Sequence, residues 1–78
     1  MAPYSPPFDP ETVGLMRRAV EEVWEQVAPD FKHFTLEQII AARERIATSV
    51  LCYSRMGVRD PLVLRAMGLA AVKIYVDA

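Results

Sequence analysis

Apolar residues recur at steps of three and four in three separate stretches of the chain, and a helix-start signal precedes each stretch. In the first, Val13, Met16, Val20, Val23 and Val27 share one arc of a helical wheel, while Arg17, Arg18, Glu21, Glu22 and Glu25 occupy the other side. Asp9 is placed to accept from the first free amides, Pro10 suits the first helical position and Glu11 faces the positive end of the helix dipole. A helix over residues 9–28 follows, ended by Pro29, with Trp24 at the edge of the apolar arc. In the second stretch Thr35 and Gln38 have capping-box spacing, and Phe34 with Ile39 has hydrophobic-staple spacing. That helix spans residues 35–56 and closes on Gly57, with Val58 placed to touch Tyr53 in a Schellman ending. Asp60-Pro61 opens a third helix over residues 60–76.

The expected architecture is all-α: a three-helix bundle over residues 9–78, led by an extended arm over residues 1–8. That arm holds three of the six prolines, which remove backbone donors and favour an extended chain, and Tyr4 and Phe8 are placed to pin it. With 78 residues there is room for one domain, and a chain of this size buries only about 60% of its unfolded surface. A single cysteine excludes an internal disulfide. Completion of the core by dimerisation is therefore expected.

The third helix has apolar residues on both sides. With Arg65 as the zero of the wheel, Val63, Met67, Ala70 and Ile74 cluster opposite it and are expected to face the core. Leu62, Leu69 and Val76 fall between Arg65 and Lys73 at steps of seven. Either these three are singly exposed, which is common, or they form a line that meets a second chain. The second reading is preferred, with Gly68 and Ala71 small enough to let another helix approach, and it gives a partner interface of Leu62, Arg65, Leu69, Lys73 and Val76. On the second helix Arg43 lies within the arc of Leu36, Ile39, Ile46, Ala47 and Val50. An arginine there needs a carboxylate, a route to water or an interface, and it is a candidate anion or ion-pair site.

Charge adds an asymmetry. Residues 1–39 hold three basic and seven acidic side chains, and residues 40–78 hold six basic and three acidic, so the first helix is complementary to the other two. The whole chain carries a formal charge of −1, which disfavours a nucleic-acid partner. A helix-turn-helix reading remains the alternative, with the second and third helices flanking Gly57 and Arg55, Arg59 and Arg65 available to phosphate. Against it, Tyr53 stands where a small residue is wanted, and Leu62, Leu64 and Leu69 line the helix that would read bases.

Two segments, Phe8-Asp9-Pro10-Glu11-Thr12 and Gly57-Val58-Arg59-Asp60-Pro61-Leu62-Val63-Leu64-Arg65-Ala66, with Trp24 between them, resemble a group of small, uncharacterised all-helical proteins of alphaproteobacteria. The resemblance runs from residue 8 to about residue 75. It implies a helical, cytoplasmic bacterial protein and carries no activity and no site residue.

Little points to chemistry. His33, the sole histidine, has only Asp30 near it in sequence, too few groups for a metal site. Cys52 has Arg55 one turn on and reads as an inert thiol, and the glycines at 14, 57 and 68 form no phosphate-binding loop. The longest apolar run, residues 66–72, falls far short of the roughly 20 residues that span a bilayer, and residues 1–7 lack the basic start of a secretory signal. The expectation is a non-catalytic, cytoplasmic interaction or regulatory module. It would use no cofactor or metal and would self-associate or dock a protein partner through its third helix.

Overall fold

A computed structural model describes residues 8–77, with side chains through Lys73. Helix α1 spans Pro10–Val27, α2 Leu36–Arg55 and α3 Pro61–Asp77, and a 3₁₀ turn over Ala28–Phe31 follows α1. All three helices pack against one another, and there is no strand among the described residues. Of the arm, only Phe8 lies within the described residues. It is buried, and the Arg59 guanidinium carbon stands 5.7 Å from its ring centroid.

Local chemistry fixes the helix ends. Asp9 Oδ1 accepts from the Thr12 amide at 2.7 Å. Thr35 Oγ1 accepts from the Gln38 amide at 3.2 Å, and the Thr35 amide donates to Gln38 Oε1 at 2.8 Å, so the capping box is reciprocal. At the end of α2 the Gly57 amide donates to the Ser54 carbonyl and the Val58 amide to the Tyr53 carbonyl, the paired bonds of a Schellman motif. They require a left-handed residue, which Gly57 supplies at φ +96°. Asp60 Oδ1 accepts from the Leu62 amide at 2.9 Å at the start of α3.

The core is Ala19, Val23 and Val27 of α1, Phe31, then Ala42, Ile46 and Val50 of α2, and Leu64 and Val72 of α3. Phe31 enters from the 3₁₀ turn and touches two rings: its centroid is 5.5 Å from that of Trp24 and 4.4 Å from that of Phe34.

The rotation of α3 departs from the sequence expectation. Val63 and Ala70 are exposed, Met67 is half-buried, and the inward row is Leu64, Gly68 and Val72. Placing Arg65 opposite the core misleads, because Arg65 leans across to α1 and its Nη1 lies 3.4 Å from Glu22 Oε2. Gly68 sets how deeply α3 sits. A Cβ there would come within 3.2 Å of Val23, 3.3 Å of Ile46 and 3.4 Å of Val50. The glycine admits α1 and α2 of its own chain, not a helix of another.

Candidate functional site

The residues expected to form one line on α3 have different surroundings. Leu62 is 66% exposed at the first turn. Arg65 is held by Glu22, although both side chains remain well exposed, so that pair adds little stability. Leu69 is half-buried and packs against the core, and Lys73 is exposed. The side chain of Val76, like that of Ile74, lies outside the described residues. Leu62 and Leu69 therefore do not form a single free stripe. The outward surface of α3 is instead Leu62, Val63, Ala66 and Ala70, all exposed and spread over about 100° of the helix, with Lys73 at its far end. Its centre is small and apolar, which allows a facing helix to approach closely.

A second apolar surface lies between α1 and α2. Val13, Met16 and Val20 form one wall of an open groove of about 450 Å³, and Ala47, Val50 and Leu51 form the other. Its charged members are Arg17, Glu21 and Arg43. The Arg43 guanidinium carbon stands 5.2 Å from the Trp24 ring centroid, so its charge rests on an indole face at the edge of the groove. No carboxylate of the described residues lies within salt-bridge distance of it. Of the carboxylate, the route to water and the interface open to Arg43, the first is not used among the described residues, and the side chain is exposed to water.

Of the residues the sequence places on one apolar arc of α2, Leu36 is 72% exposed and Ala47 is exposed, as is Ile40 at 49%. The overlooked signal is a second periodic row. Leu36, Ile40, Arg43, Ala47 and Leu51 follow one another at steps of four, three, four and four, beside the buried row of Ala42, Ile46 and Val50.

Groups suited to chemistry are scattered. His33 and Asp30 are exposed, Cys52 is exposed, and among the described residues no three His, Cys, Asp or Glu side chains gather into a metal-binding group. Ser54 Oγ is buried without a hydrogen-bond partner among the described residues. Two of the arginines expected to meet phosphate are engaged within the chain. Arg59 donates to the carbonyls of Ser54 at 2.6 Å and Val58 at 3.0 Å, and Arg65 is paired with Glu22. Among the described residues no helix is long and apolar enough to cross a membrane. Comparison with protein-family models, with curated proteins and with solved structures gives no match.

Proposed function

We propose that this protein is a non-catalytic helical interaction module of the cytoplasm, regulatory or accessory in role, that meets a second protein chain through the outward face of α3. One observation carries the reading. The helix that completes the core with Leu64 and Val72 leaves Leu62, Val63, Ala66 and Ala70 exposed on its other side, and no charged residue interrupts those four within their arc. Burying such a surface in a helix–helix contact removes apolar area from water at about 25 cal/mol per Å². Among the described residues the groups suited to chemistry are scattered rather than gathered into a cluster, which supports a binding role.

The test is photo-crosslinking from Ala66, with the exposed Glu25 of α1 as the control position, in the pure protein and in extract of cells that make it. A discrete crosslinked product from position 66, weakened by Leu62→Asp and absent from position 25, is expected. Equal yields from both positions would remove α3 as the docking face.

A further inference from the structure

The row Leu36, Ile40, Arg43 and Ala47 has the four-three-four spacing of a coiled-coil seam and Leu51 continues it one turn on, and among the described residues no helix is laid over Leu36 and Ile40. It runs for about 22 Å along α2, four turns, beside the groove walled by Val13 and Val20 of α1. We infer that a second copy of this chain covers this seam, with α2 antiparallel to α2 about a two-fold axis passing between Arg43 and Glu44. The inference concerns a different surface from the α3 face and stands independently of it.

The argument is the internal symmetry of the row. A two-fold axis at that point sets Leu36 against Leu51 of the partner subunit and Ile40 against the partner's Ala47. In the second pair a large side chain meets a small one, and in the first two leucines meet. The same operation sets Arg43 against the partner's Glu44 and Glu44 against the partner's Arg43, giving two reciprocal opposite-charge contacts at the centre. Arg43 and Glu44 are both exposed, and among the described residues neither has an ion-pair partner. A second copy supplies both members of each opposite-charge contact from this one sequence. The partner's α2 would also shield Val13, Val20 and the apolar floor of the groove, adding burial that a 78-residue bundle lacks.

Sedimentation equilibrium at micromolar concentration and low salt tests this with charge exchange. The wild type is expected at twice the chain mass. Glu44→Arg places arginine against arginine and Arg43→Glu places glutamate against glutamate, so each variant alone is expected at one chain mass. An equimolar mixture of the two restores both opposite-charge contacts and is expected to return to twice the chain mass, as is the double variant R43E/E44R. Because Arg43 also rests on Trp24, Ile40→Glu at a half-exposed position serves as a second disrupting variant, with circular dichroism confirming the helices. Ala66→Glu on α3 is expected to leave the mass unchanged. A monomeric wild type, including one whose groove takes up a small apolar anion, overturns the inference. So do single variants of unchanged mass, or a dimer lost with Ala66→Glu and kept with Glu44→Arg.

Discussion

The Arg43 guanidinium lies over the face of Trp24, 5.2 Å from the ring centroid, and this contact reconciles a cation with the apolar stripe of α2. The indole in turn stands 5.5 Å from Phe31, so one helix-borne charge, one edge-of-core indole and one buried ring form a continuous stack between α2, α1 and the 3₁₀ turn.

Replacing Arg43 with alanine removes the cation–π contact at an exposed site, at a cost of about 0.5–1 kcal/mol. Arg43→Lys keeps a cation in reach and is expected to retain part of that stability. Urea unfolding followed by Trp24 emission measures both. Alanine and lysine variants of equal stability would show that the ring contact contributes nothing.

Gly68→Ala brings two opposed effects. Alanine favours the helix by about 1 kcal/mol over glycine. The added methyl, however, meets Val23, Ile46 and Val50 at 3.2–3.4 Å, three buried and branched side chains that cannot all recede. Overpacking of this kind costs about 1–3 kcal/mol, so a net loss of about 1 kcal/mol is expected in denaturant unfolding. A stabilised variant would mean that α3 can move outward freely.

Asp9 confers a pH dependence. Hydrogen bonding from the Thr12 side chain, then from its amide, holds the Asp9 carboxyl below its ordinary value of 3.8, aided by the charge of Arg59 and opposed by slight desolvation. The folded state thus binds a proton less readily than the unfolded one. Its contribution is complete above the ordinary value and disappears as pH falls through the lowered one. Asparagine caps a helix about as well without titrating. Asp9→Asn is therefore expected to match the wild type near neutrality and to lose less thermal stability on acidification. Parallel losses in the two proteins would show that the cap is not the acid-sensitive group.

Ser54 is buried on α2, and its hydroxyl has no hydrogen-bond partner among the described residues. Exchange of that hydroxyl for a methyl hydrogen removes an unsatisfied polar atom and leaves a good helix former. Ser54→Ala is expected to raise stability by about 1 kcal/mol. A destabilised variant would show that the hydroxyl has a partner in solution, such as a bound water.

The sequence by itself determined where each helix begins and where α2 ends. Asp9, Thr35 with Gln38, Gly57 and Asp60 act on backbone groups no more than five residues away, so their geometry follows from spacing along the chain. It also determined that three amphipathic helices would share one core. Only the tertiary structure decided how far each helix turns about its own axis. Arg65 reaches Glu22, Gly68 lets α3 settle between Val23 and Ile46, and Leu69 is carried inward while Val63 and Ala70 turn out. On α2 the same choice, between two parallel rows one residue apart, buries Ile46 and Val50 and leaves Leu36 and Ile40 facing out. Phe31 joined the core from a 3₁₀ turn where no periodicity marks it. A wheel records angles within a helix, whereas burial depends on where the neighbouring helices stand, and that is set by side chains far apart in the chain.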